Sequence, residues 1–421
     1  MRRSISRWAS RGLLSCVDQG VASIASFGAN ILLARWLPPD EYGAFAVAFA
    51  LFLFASGFHN ALLVDPAFVL GPARFGSGLP AYFKRLIWLH GAWSVGASLL
   101  IAALAPAMSD ASLSRALYGL AMSLPVLLLL WLLRRFCYVE GGPASALVSS
   151  AAYALALIGG LFLLRHSVGA SPVGAFLVMG VASAVASATA WRKLGLNRGW
   201  RGVRTGECLE LARIHWEYGK WLGATSLLTF GVTQLQTFLI AGYLGLAAAG
   251  AFRAIFNFVQ PMNQVTAAVA LLFLPNLSAD YGSGRAGRLH VKGALITSGL
   301  LGASILYEGV LLGFGPRIEE IVYGGRLRAY DWLIPVLGLM PVFIALGSGR
   351  TLVLQAVQKP RHYLIRGAVI GPVGIAAALI FTARAGLAGA AASMVLNLAV
   401  SATVTYWLYR RFGPVERELP T

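Results

Sequence analysis

An all-helical, multi-pass membrane protein is predicted by three observations. About twelve apolar stretches of roughly twenty residues recur along the 421-residue chain, each long enough to cross a bilayer. Hydrophobic residues make up 58% of the chain and charged residues 12%, against about 25% charged in soluble domains. The basic residues avoid the middles of the apolar stretches, and of 34 Lys and Arg only Arg253 and Arg350 are counted to their interiors.

The stretches are read as helices because a helix satisfies its own backbone hydrogen bonds in lipid, whereas an open strand does not. The first runs over 13–34. The apolar run before Cys16 is only about three residues, short of the roughly 7–15 of a secretory signal core, so this segment reads as a span. Five more follow at 43–64, 86–106, 113–133, 144–164 and 172–191. The second half holds 220–243, 250–276, 293–314, 332–356, 363–383 and 386–409. Between the halves, the basic 192–219 segment carries Gly195, Gly199, Gly202 and Gly206 and reads as a linker with a membrane-lying amphipathic stretch over 208–219. Two six-helix lobes are therefore expected, 1–210 and 211–421.

Loop charge orients the chain. Of the other 32 basic residues, in the connecting segments and at the span ends, 25 belong to the alternate segments that share one face, and the opposite segments hold seven: Arg35, Arg115, Arg165, Arg317, Arg326, Arg328 and Arg384. The positive-inside bias then places both termini in the cytoplasm. The same bias accounts for the net charge of +18, and no basic helix with interleaved aromatics forms a nucleic-acid module. Cys16, Cys137 and Cys208 have no metal-binding or disulfide spacing, and no metal or cofactor is expected. Gly347-Ser348-Gly349-Arg350-Thr351 is glycine-rich but lacks the phosphate-loop lysine and lies within a span. With no zinc-protease helix and no nucleophile elbow, transport is expected rather than catalysis.

Small residues predict how the spans pack. Ala182, Ala186 and Ala190, with Ser183 and Ser187, place a small face at four-residue spacing for close helix contact. Ionisable residues in the spans cost several kcal/mol unless paired or hydrated, which singles out Asp18, His59, Asp65, His90, Arg253, Glu308 and Arg350. His90 and Asp65 also fit a membrane interface, and Arg253 a snorkelling side chain. Gln234, Gln236, Asn257, Gln260, Asn263 and Gln264 form an amide-rich stretch, which suits either helix-to-helix bonds or a site for sugar hydroxyls.

The halves match weakly where their first two spans meet. Leu37 to Phe45 aligns with Leu244 to Phe252 at an offset of 207 residues, and Gly12 then falls on Gly219. Six spans per half make the repeats parallel, with a cavity expected between the lobes.

Gly20-x7-Gly28-Ala29-Asn30-Ile31-Leu32-Leu33-Ala34-Arg35-Trp36-Leu37-Pro38-Pro39-Asp40-Glu41-Tyr42-Gly43 resembles the opening spans of polysaccharide exporters of the multidrug/oligosaccharidyl-lipid/polysaccharide (MOP) superfamily. So does Leu246 to Arg253, followed by Pro261-Met262-Asn263-Gln264 and Leu274-Pro275. The resemblance implies a MATE-like fold and a Wzx-type flippase. Such a protein moves an undecaprenyl-diphosphate-linked oligosaccharide for lipopolysaccharide O-antigen or related surface glycans. It implies an inner-membrane location among membrane lipids, with a polysaccharide polymerase and a chain-length regulator as partners. A diphosphate needs cations, which points to Arg253 and Arg350, with Arg35 at the outer mouth and Gln234, Asn257 and Gln260 for the sugar. Asp18 and Glu308 are the candidates for ion coupling. The alternatives are a MATE-like drug or cation antiporter, which suits the two carboxylates, and a polysaccharide polymerase or ligase.

Overall fold

The computed structural model describes residues 2–75, 78–196, 204–283, 285–357 and 361–413, and the described residues are all helix and short connections. Gly199 and Gly202 of the expected linker lie outside the described residues. Two compact units result, Met1–Phe230 and Gly231–Thr421. The division falls after residue 210 because residues 211–230 pack with the first unit: His215 Nδ1 bonds the Leu62 carbonyl at 3.0 Å and Ser226 Oγ the Gly57 carbonyl at 3.3 Å.

In the first unit, α1 (Arg2–Trp36) ends where Leu37 precedes Pro38, since a residue before proline leaves the helical region. α2 (Pro39–His59) opens with proline in its first turn, and Asp40 and Glu41 face the positive end of its dipole. The connection between the expected second and third spans, 65–85, is helical over most of its described residues. α2 continues through a π turn at Asn60–Val64 into α3 (Asp65–Leu70) and a second π turn at Gly71–Phe75. α4 (Leu79–Leu104) follows. α5 (Ala111–Phe136) is capped by Asp110, whose carboxylate accepts from the Ser112 and Leu113 amides at 2.8 and 2.9 Å. A π turn at Cys137–Gly141 leads to α6 (Pro143–Ser167), and α7 (Pro172–Lys193) is capped by Ser171.

The small face on α7 is buried as expected, with Ala182, Ala186 and Ala190 fully covered. A methyl group at Gly119 of α5 would come within 2.9 Å of Val173 Cα on α7, so these two backbones touch. Lower in the unit, Phe83 and Phe136 stack at 3.9 Å beside the buried Cys137 and Cys208.

The 192–219 segment and the seventh span depart from expectation. α8 (Thr205–Thr233) runs unbroken from the amphipathic stretch into the membrane, and a break at Gln234 separates it from α9 (Leu235–Leu244). Gly245, at φ 89°, turns the chain into α10 (Leu246–Phe256), at the place corresponding to the Leu37–Pro39 junction of the first unit. The eighth span is likewise interrupted, by a 3-10 turn at Asn257–Val259 before α11 (Gln260–Gly282). α12 (Ala286–Tyr323) has 38 residues, about 57 Å of helix, so it outruns a membrane core of about 30 Å. α13 (Leu333–Ala356) crosses it so closely that a Cβ on Gly349 would overlap the Gly293 carbonyl. α14 (Arg361–Phe412) contains both final spans: Ala385 and Gly386, the latter at φ 57°, break it into a hairpin. Arg366 Nη2 donates to Ser401 Oγ at 2.8 Å across the two arms. Nine single spans, this hairpin and the broken α8–α9 pair together account for the twelve expected crossings.

Candidate functional site

Asp18 is fully buried on α1. Its Oδ2 accepts from Arg134 Nη2 at 2.8 Å and from the Tyr138 hydroxyl at 2.6 Å, while its Oδ1 has no hydrogen-bond partner among the described residues. Arg134 ends α5 and Tyr138 lies in the following π turn, so their four-residue spacing puts both on one side. The sequence places Arg134 in a loop by its position between spans. The structure folds it back onto a carboxylate 116 residues away. Arg135 and Asp65 form a second, half-exposed pair at 3.5 Å.

The second unit is arranged differently. Glu308 lies on α12, 7% exposed, with Oε2 unpartnered among the described residues. It occupies the space that Gly338 of α13 leaves open, since a Cβ there would overlap Oε2. Arg350 is twelve residues further along α13, about 18 Å away along the axis. Its Nη1 donates to the Leu346 carbonyl at 2.8 Å, and its guanidinium lies 5.0 Å from the Tyr406 ring of α14. Arg410 shares that ring at 5.4 Å. Neither guanidinium has a carboxylate within salt-bridge distance among the described residues. Two cations thus share one aromatic ring, the half-buried Arg350 of α13 and the exposed Arg410 near the end of α14.

The remaining expected residues separate. Arg253 lies on α10 with its guanidinium 5.9 Å from the Phe256 ring. Asn257, one turn on and 3% exposed, donates to the Tyr323 hydroxyl at 3.3 Å, which itself donates to the Ala254 carbonyl at 2.9 Å. Gln260 starts α11, and Gln234 stands at the α8–α9 break, each partly exposed. Arg35 is exposed at the end of α1. Gln236 is absorbed by packing: its amide donates to Ser393 Oγ and to the Ala390 carbonyl at 3.2 Å, and accepts from Thr382 at 3.1 Å. That residue therefore ties α9 to both arms of α14.

Sequence reasoning missed Arg410 and Tyr406 as parts of a site. Arg350 and Tyr406 are 56 residues apart, and nothing in either segment signals that they meet. Two of the three buried histidines are brought together as well, with His59 Nε2 2.9 Å from His90 Nδ1.

The fold is that of the MATE transporters. A multidrug resistance MATE family transporter of the MOP superfamily, in an inward-facing conformation, superposes with a TM-score of 0.76 at 14% identity, over 94% of this chain and 97% of that one. The MATE multidrug transporter DinF-BH gives 0.68 at 15% identity, over 96% and 95%. A MOP superfamily transporter from Pyrococcus furiosus, described as having a binding pocket of reverse polarity that suggests a different function, gives 0.64 at 13%, over 95% and 94%. No protein-family model matches the chain, and no curated protein sequence matches it.

Proposed function

We propose that this chain is a membrane transporter that moves an undecaprenyl-diphosphate-linked oligosaccharide between leaflets of the bacterial inner membrane by alternating access, with both termini cytoplasmic. The observation that carries this reading is Arg350 with Arg410, two guanidiniums on Tyr406 whose charge no carboxylate among the described residues cancels. A diphosphate brings the missing negative charge, and guanidinium forks suit its oxygens. The lipid tail can remain in the bilayer while the head group passes. The loop arginines support the orientation, since 25 basic residues mark one face and seven the other.

Deletion of the gene, followed by mass spectrometry of membrane lipids, tests this. Lipid-linked oligosaccharide is expected to accumulate, and Arg350→Ala is expected to reproduce the defect at normal protein level. Unchanged lipid pools and normal surface glycan in both strains overturn the proposal.

One observation favours a second reading, a drug or cation antiporter: Glu308, a buried carboxylate with an unpartnered oxygen, suits a cation. Organic-cation efflux from vesicles that is lost in Glu308→Gln and kept in Arg350→Ala selects the antiporter. No organic-cation efflux from wild-type vesicles, together with glycan export that is lost in Arg350→Ala, selects the flippase.

A further inference from the structure

The second arm of α14, after the break at Gly386, is polar on the side that faces the protein and apolar on the side that faces away. Ser393, Asn397, Ser401 and Thr405 recur every four residues, so they share one side, and all four are buried. Three of them meet the rest of the second unit. Ser393 accepts from the Gln236 amide and Ser401 from Arg366, while Asn397 fills the space beside Gly374, where a Cβ would come within 2.8 Å of its amide. The other side is exposed at Ala392, Leu396, Thr403 and Trp407. This is the reverse of a surface helix in a soluble domain, and in a membrane protein such an outward apolar side is covered by acyl chains.

Towards Phe412 that outward side changes character. Trp407 is 48% exposed, and indoles at the ends of spans sit at headgroup depth. One turn further, the exposed Arg411 has its guanidinium 5.3 Å from the Trp407 ring and 5.6 Å from the Phe412 ring. The rings fix the cation without cancelling its charge, and no carboxylate lies within salt-bridge distance of it among the described residues. The surroundings are basic as well. His290 of α12 bonds the Tyr409 hydroxyl, which brings the start of α12, with Arg288 and Lys292, beside the end of α14. Asp280 of α11 is already paired there with Lys292 and Arg285.

We propose that Arg411 and Trp407 form a binding site for an anionic phospholipid, with its phosphate on the Arg411 guanidinium, its glycerol region against the indole and an acyl chain along Thr403 and Leu396. A guanidinium presents parallel N–H donors that match phosphate oxygens. A basic group at a membrane surface enriches anionic lipid about fivefold. The site rests on the chain being a membrane protein and is separate from the proposed cargo site, since neither residue belongs to the cluster of Arg350, Tyr406 and Arg410.

Trp407 makes it measurable, because bromine quenches indole emission on contact. The full-length protein is placed in phosphatidylcholine nanodiscs that carry a minor share of phosphatidylglycerol brominated near the headgroup end of its chains. The Trp407 contribution is obtained as the difference from Trp407→Phe. Brominated phosphatidylglycerol is expected to quench that component as strongly as about five times its amount of brominated phosphatidylcholine. Arg411→Gln is expected to bring the two lipids level, and Arg350→Ala to keep the preference. Equal quenching by the two lipids in wild type overturns the proposal. A preference that survives in Arg411→Gln also overturns it, because it marks diffuse attraction to the basic face, and so does one that Arg350→Ala abolishes, because it places the phosphate on the Tyr406 cluster. Native mass spectrometry is the second readout. Phosphatidylglycerol that stays on wild type through detergent exchange and leaves Arg411→Gln supports the site, and equal retention overturns it.

Discussion

The two units treat charge inside the membrane in opposite ways. In the first, Asp18 is buried but tied to Arg134 and Tyr138, so the helix bundle holds a neutral, hydrogen-bonded cluster. In the second, Glu308 rests in the gap above Gly338, and Arg350 sits with Arg410 on Tyr406, each without an opposite charge among the described residues. Pairing across helices holds the first unit together. Charge left unpaired, at a cost of several kcal/mol in lipid, is where a ligand or an ion has something to gain. The proposed function therefore rests on the second unit, and Asp18 with its partners serves first as architecture.

That contrast can be broken by experiment. Asp18→Asn leaves the partly exposed Arg134 without its carboxylate, and a loss of about 1–3 kcal/mol is expected. Thermal unfolding in detergent, with yield as a second readout, checks it; a transporter of full stability and full proton dependence in this variant returns Asp18 to the list of coupling sites. Arg350→Gln removes an unpaired cation, so stability should hold while glycan export falls about tenfold or more, the equivalent of one charge-assisted hydrogen bond. Export assays on equal amounts of protein measure it, and Arg350→Lys should recover part of the loss. Gln236→Ala removes the bonds from α9 to α14 and leaves Thr382 and Ser393 short of a partner, with an expected cost of about 1–3 kcal/mol and no selective effect on export.

The smallest effect concerns His215, in the amphipathic stretch of α8 outside the spans. Burial pushes its proton affinity below the ordinary imidazole value, and its bond to the Leu62 carbonyl opposes that shift. With the folded value lowered, the unfolded chain binds the proton first. The stability His215 contributes is thus complete above about pH 6.5 and declines as pH falls towards the folded value. Limited proteolysis at the neighbouring Arg213 should quicken modestly on acidification, and His215→Phe should flatten that response. An identical acid response in the variant removes the claim.

Much of the fold was legible in the chain because each signal is local. The length of an apolar run and the placement of arginines do not depend on which helices meet, so the twelve crossings emerged from the sequence. Their interruptions did not. The break at Gln234 and the 3-10 turn at Asn257–Val259 lie inside apolar text with no proline before Pro261 to announce them. The small face of α7 was readable from its four-residue spacing, yet the Gly349 contact with Gly293 was not, because a lone glycine carries no direction. Among the site residues, Asp18, Glu308 and Arg350 were visible as expensive charges. Their partners were hidden: Arg134 counted as a loop arginine, and Tyr406 and Arg410 belonged to the last span and its basic end.

The sequence by itself determined that this chain is a membrane protein built from about twelve apolar helices, and that few charges enter its spans. Both follow from transfer free energies that act on each segment alone. Only the tertiary structure decided which of those charges are cancelled. Ion pairing needs atoms within a few ångströms, and that depends on which faces the helices turn to each other. It joined Asp18 to Arg134 across 116 residues, set His59 against His90, and left Arg350 with an aromatic ring and a second cation.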